Sequence, residues 1–114
     1  MNRSLIIAKI LPDAQDEVAA VFAESDRTEL PGIAGVRRRS LYRLGDLYVH
    51  LLETDAPGAD AVARAKAHPE FQRVSGELSR YISPYLPTWR GPEDAQATLF
   101  YDWTPGMHSK ESEK

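Results

Sequence analysis

Residues 35–53 read GVRRRSLYRLGDLYVHLLE, two alternating segments that meet at Leu44-Gly45-Asp46. Strand side chains alternate sides, so Arg37, Arg39, Leu41 and Arg43 fall on one face of the first segment. Val36, Arg38, Ser40 and Tyr42 fall on the other. Pairing about Gly45-Asp46 sets Leu44 opposite Leu47, Arg43 opposite Tyr48 and Leu41 opposite His50. Arg39 and His50 then share a face as diagonal neighbours, roughly 7–8 Å apart at Cα and within reach of long side chains. A guanidinium, an imidazole and the Tyr48 phenol, interleaved with leucines, make a half-apolar pocket wall.

Upstream, residues 5–11 (LIIAKIL) form a short apolar run, rich in β-branched residues and bounded by Pro12-Asp13, which predicts a buried central strand. Asp13 is placed to cap a helix whose first turn carries Asp16 and Glu17, the right sign for a helix N-terminus. Val18, Val21 and Phe22 supply its apolar stripe, and it runs to about Ser25. Residues 26–32 read as a polar, irregular connection into the hairpin.

Downstream, residues 54–58 break the strand and residues 60–67 are an alanine-rich helical segment. His68-Pro69 interrupts it, and residues 70–81 resume a helical pattern with Phe71, Val74, Leu78 and Ile82 at helical spacing, as one bent helix or two short ones. Residues 83–92 are extended, aromatic and proline-punctuated, a stretch expected to pack along a surface or cover an opening. Residues 97–103 (ATLFYDW) are the expected last strand, and a charged tail without fixed structure follows, residues 105–114.

The order β, α, β, β, α, β is the ferredoxin-like pattern, an α+β sandwich with helices on one face of an antiparallel sheet, filling one domain over residues 1–104. The hairpin carries apolar residues to both faces, Val49, Leu51 and Tyr42 on one and Leu41 and Leu52 on the other. The uncovered face therefore needs a partner. Two subunits packed sheet against sheet, a homodimer in a dimeric α/β-barrel assembly, would enclose it and leave a cavity in or beside each sheet.

Composition narrows the function classes. With 114 residues, 42% hydrophobic and 27% charged, a second core would not fit. A net charge of −3 gives no electrostatic footprint for nucleic acid. No cysteine means no disulfide or thiolate chemistry, and no long apolar span or signal-peptide pattern stands at the N-terminus; a cytoplasmic protein without a membrane partner is the simplest reading. Three scattered histidines, His50, His68 and His108, make no metal site, and there is no Gly-rich phosphate loop or nucleophile elbow. No cofactor is expected. Arg37 and Arg38 read as solvated, His68-Pro69 as a helix break and His108 as part of the tail.

The runs TELP, GVRRR, DLYVHLLE and HPEFQ, in that order and spacing, with the closing ATLFYDWT, resemble the tetracenomycin F2 cyclase family of aromatic polyketide cyclases. The likeness covers roughly residues 4–104. It implies a dimeric ferredoxin-like fold and a cofactor-free cyclase that closes rings in a poly-β-ketone or partly cyclised intermediate, free or tethered to an acyl carrier, in company with polyketide synthase components. It also implies a site at Asp26, Arg39 and His50. The family's best-known member has a histidine just before that aspartate, where this chain has Ser25, so a mechanism using two histidines there has only one available.

The residues argue the same chemistry independently. An aldol cyclisation needs a base for a methylene between two carbonyls, donors for the enolate, and an acid for the attacked carbonyl. His50, with an ordinary pKa of about 6.5, is expected to serve as base and then acid near neutral pH. Arg39 stays protonated and stabilises an enolate or alkoxide oxygen. Asp26 would orient His50 or accept a proton, or simply end the helix. Tyr48, Ser25, Leu41 and Leu52 are the candidate substrate-binding residues. Two other functions fit the same features: a cofactor-independent monooxygenase of a polyketide phenol, and a non-catalytic ligand-binding dimer of a polyketide synthase complex.

Overall fold

The computed structural model of the protein describes residues 2–88, 90 and 92–105. Apart from Pro105, the expected tail, with His108, lies outside them. The elements run β1 (Asn2–Ile10), α1 (Gln15–Ser25), α2 (Leu30–Ala34), β2 (Val36–Leu44), β3 (Leu47–Thr54), α3 (Gly58–Lys66), α4 (Pro69–Leu78) and β4 (Ile82–Pro84). The four strands form one antiparallel sheet in the order β2-β3-β1-β4, the ferredoxin-like arrangement that the sequence pattern predicts.

β1 lies between β3 and β4, and its even-numbered residues from Ser4 to Ile10 are buried while Leu5 and Lys9 are exposed. Its apolar run is thus one buried face of a central strand. That face meets Val18, Val21 and Phe22 of α1 and Val74 of α4 in the main core, with Tyr48 from β3. Each such aliphatic or aromatic side chain contributes roughly 1.5–3 kcal/mol by leaving water.

The hairpin has the predicted register: Leu44 faces Leu47, Arg43 faces Tyr48 and Leu41 faces His50. Gly45, at φ 59°, takes the first central position of the two-residue loop, as a type II′ turn requires. Parity fails at the start of β2. A bulge between Val36 and Arg38 puts Val36 opposite Thr54 and Arg38 opposite Glu53. Val36 is therefore moved onto the helix-covered face, and Arg37 turns outward to pair with Asp55 at 2.7 Å.

Three other expectations change, and the choice between one bent helix and two short ones is decided. Asp13 does not cap α1: it takes a left-handed φ of 62°, and the cap is Ala14 without a side-chain bond. The connection after α1 contains α2, which ends at Gly35 with φ 74°, the conformation glycine adopts without penalty. The segments around His68-Pro69 are two helices, and His68 caps the second, its Nδ1 accepting from the Glu70 backbone N–H at 3.0 Å. The last strand is Ile82–Pro84, paired with residues 8–10, rather than residues 97–103. The rest of that edge of β1 is occupied by a single bridge between Ile6 and Gln96 and a bond from Ala97 N–H to the Leu5 carbonyl at 2.7 Å. Residues 98–103 lie beyond the edge and have no partner strand among the described residues, which leaves Phe100 95% exposed.

Candidate active site

A cavity of about 340 Å³ opens between the sheet and the helices. It forms within the single chain, on the helix-covered face of the sheet. Its floor is Ile6 and Ala8 of β1 with Tyr48, His50 and Leu52 of β3; its roof is Leu30, Pro31 and Ala34 of α2, Ala61, Val62 and Ala65 of α3, and Phe71, Val74 and Leu78 of α4. Apolar walls with a few convergent polar groups are what a small-molecule site requires.

The polar groups meet at Arg39. Its Nη2 lies 2.7 Å from Asp26 Oδ1 and its Nε 3.1 Å from Oδ2, a side-on bidentate pair. Its Cζ stands 4.7 Å from the centroid of the Phe22 ring, and its Nη1 lies 3.2 Å from His50 Nε2. Asp26 is here because it ends α1, with its N–H donating to the Phe22 carbonyl at 2.8 Å, so one helix end carries both the carboxylate and the ring that hold the guanidinium. Asp26 reaches Arg39 and no bond joins it directly to His50 among the described residues.

His50 is 5% exposed, with Phe22 edge-on at 5.2 Å between centroids and the Tyr48 hydroxyl 3.4 Å from its Nδ1. A guanidinium only donates. Nε2 therefore accepts from Arg39, and the ring proton sits on Nδ1, facing the Tyr48 oxygen. Burial, and after it the Arg39 charge, push the imidazole pKa down to about 3. This corrects the expectation of a histidine titrating near neutral pH: His50 stays a neutral acceptor in the folded protein. Burial pushes the Tyr48 phenol up, with Arg39 opposing, so it too remains un-ionised.

The other candidates are placed differently. Leu52 lines the cavity, whereas Leu41 packs against the main core and is not among the lining residues. Ser25 lines the wall but is 2% exposed, and the Glu70 carboxyl of α4 is held below its usual range, chiefly by Arg73 and least by Ser25. His68 Nε2 lies 3.0 Å from Glu29 on the α1–α2 connection, away from Arg39. Sequence reasoning missed two parts of the site. Phe22 reads in the chain only as part of the core stripe, since no local pattern says an arginine will lie over its ring. The α2 roof does not stand out in the chain, because Pro31 and Gly32 mask a five-residue helix. Among the described residues no group of three histidine or acidic side chains could hold a metal ion, and no helix is long and apolar enough to cross a membrane.

Comparison with known proteins agrees with this architecture. Residues 2–104 match the family described as polyketide synthesis cyclase. An uncharacterised protein of Streptomyces coelicolor is 50% identical over 105 residues, covering 90% of this chain and 95% of the relative. Polyketide synthase CurG of Streptomyces cyaneus is 43% identical over 104 residues, covering 90% and 97%. The solved structure of tetracenomycin F2 cyclase from Streptomyces glaucescens, a type-II polyketide cyclase, superposes with a TM-score of 0.81 at 43% identity, covering 90% of this chain and 96% of that one. The chain belongs to the polyketide synthesis cyclase family.

Proposed function

We propose that this cyclase closes a ring of an aromatic polyketide precursor by aldol addition and loss of water, without a cofactor, with Arg39, His50 and Asp26 as its working groups. The observation that carries this reading is a guanidinium clamped by Asp26 and Phe22 in the wall of an apolar cavity, in contact with a neutral imidazole. Arg39 has five N–H donors; Asp26 and His50 engage three of them, which leaves two for a substrate oxygen.

The substrate methylene lies between two carbonyls and is acidic without help. As it ionises, Arg39 stabilises the enolate oxygen in a site that excludes water, where such preorganised charge is worth most. The methylene proton passes to His50 Nε2, whose basicity rises beside the developing anion once Nη1 turns to the enolate. The enolate carbon bonds to the attacked carbonyl carbon, and the alkoxide so formed takes the proton back from Nε2. Loss of the new hydroxyl with a neighbouring proton as water yields the aromatic ring. Asp26 keeps the guanidinium in place, and Tyr48 keeps the Nδ1 proton.

The working species in this reading is a homodimer. On the sheet face away from the helices, Leu5 pairs with Leu51, and Ile7 and Tyr42 flank Val49, one apolar patch across three strands. Tyr42 is 58% exposed within one protomer. Leu99, Phe100 and Tyr101 extend from the edge of that sheet, and a second copy would cover both surfaces by two-fold packing. The function is tested by reconstituting the protein with a minimal polyketide synthase. A single regular product in its presence, a mixture in its absence, and no oxygen consumed is the expected result. Stoichiometric oxygen uptake would identify a monooxygenase instead, and unchanged products a non-catalytic binder.

A further inference from the structure

The helical stripe of α4 contains an exception. Phe71, Val74, Leu78 and, beyond the helix end, Ile82 mark the apolar face at i, i+3, i+7 and i+11. The remaining positions of that face, i+4 and i+8, carry Ser75 and Ser79. A helix that only seals a core fills such positions with apolar residues. Both serines line the cavity, and both are exposed, so they stand at its mouth, with Arg39 and His50 in the buried interior.

The rest of the lining leaves few polar choices. Ser25 is 2% exposed beside Glu70, Tyr48 faces His50, and Ser83 lies on β4, off the α4 stripe. Ser79 Oγ donates to the Gly76 carbonyl at 2.7 Å, so its own lone pairs are what it offers a ligand. The Ser75 hydroxyl makes no hydrogen bond among the described residues and is able to donate or accept. Polyketide-derived rings carry oxygens along their rim, so a ligand with one oxygen at Arg39 presents others toward the opening.

We propose that Ser75 and Ser79 form an oxygen-binding subsite at the cavity mouth, which receives a phenolic hydroxyl at the far end of a flat, oxygenated ring system and so sets which carbon lies at Arg39. Ser79 accepts that O–H, and Ser75 bonds the same or the adjacent oxygen. The subsite rests on the proposed function of the cavity and adds to it the device that selects among ring registers.

The test uses two probes with the full chain: 2,6-dihydroxyanthraquinone, whose hydroxyls lie at opposite ends of the ring system without an internal carbonyl partner, and unsubstituted 9,10-anthraquinone. Alanine is the better helix former, so Ser75→Ala, Ser79→Ala and the double variant keep α4 intact. Titration should show wild type preferring the dihydroxy compound. Each substitution should weaken that compound roughly two- to twelve-fold, the range of one net hydrogen bond, and the double variant should bind it more weakly than either single variant, with anthraquinone binding unchanged. Ser75→Thr, which keeps a hydroxyl, should retain the preference. A double variant whose preference for the hydroxylated probe equals that of wild type overturns the subsite, as does a wild type without preference or without binding. If the serine-dependent preference is found but no ring closes in the reconstituted synthase, the subsite stands and the proposed function falls. If rings close and the preference ignores the serines, the reverse holds.

Discussion

Burial of His50 makes a prediction about acid stability that its ordinary chemistry would not. In the unfolded chain its imidazole titrates near 6.5, whereas in the fold it is pushed down to about 3. Above pH 6.5 both states are neutral and the group contributes no pH dependence. As pH falls from 6.5 toward 3 the unfolded state takes up a proton that the folded state refuses, so stability is lost at about 1.4 kcal/mol per pH unit. At pH 5 the loss from this one residue is about 2 kcal/mol, which corresponds to a fall in Tm of roughly 8 °C for a domain of this size. Carboxylates also titrate in this range, so the measurement is a difference. His50→Gln keeps an acceptor for Arg39 and has no titration, and its Tm should fall by that much less than wild type between pH 7 and pH 5, at matched protein concentration. In wild type the His50 ring proton resonances should stay constant over the same interval. Parallel Tm curves for the two proteins, or a His50 resonance moving with a midpoint near 6.5, would refute the desolvation argument.

The remaining predictions concern the clamp and the dimer. Arg39→Lys should lower turnover by roughly 10²-fold, the scale of losing one preorganised donor, because a point charge does not reproduce the fork that spans Asp26 and His50; Arg38→Lys on the opposite face should leave the rate unchanged, and steady-state kinetics compares the two. Asp26→Ala should depress turnover about as much as Arg39→Lys while His50→Gln slows the reaction and alters the ring formed; product analysis in the reconstituted synthase distinguishes them, and a wild-type rate and product from His50→Gln would remove the imidazole from the mechanism. Phe22→Leu removes the ring from beneath the guanidinium and from the edge of His50, and should cost about 1–2 kcal/mol in urea unfolding. Phe100→Glu together with Tyr42→Glu should convert a dimer at micromolar concentration into a monomer by light scattering. Prolonged chelation and dialysis should leave the activity of the wild-type protein intact, and a stoichiometric flavin, haem or zinc in the active protein would contradict the proposed mechanism.

Much of the site was legible because it lies in a hairpin. Within two strands joined by a two-residue turn, alternation and turn type fix every pair, so the meeting of Arg39 with His50 follows from residues 35–53 alone, and the contact is present at 3.2 Å. Val36 departs from strict alternation, because a bulge one residue wide inverts parity and leaves no mark in an arginine triplet. Residues 97–103 also read as the last strand. A strand-like pattern records that a segment can pair, and the partner edge was already taken by Ile82–Pro84 and Gln96.

The sequence by itself determined the elements from β1 to β3 apart from α2, the hairpin register from Arg38 onward and the side of the sheet on which Arg39 and His50 fall, since those depend on local periodicity and on turns that span a few residues. Only the tertiary structure decided the state and company of those groups. The end of α1 had to arrive over β2 before Asp26 and Phe22 could hold Arg39, and α2, α3 and α4 had to close over the sheet before a cavity existed. The imidazole was visible in the chain as a base near neutral pH, and it becomes a neutral acceptor because solvation and neighbouring charge, which set a pKa, are properties of the packed fold and of no stretch of sequence.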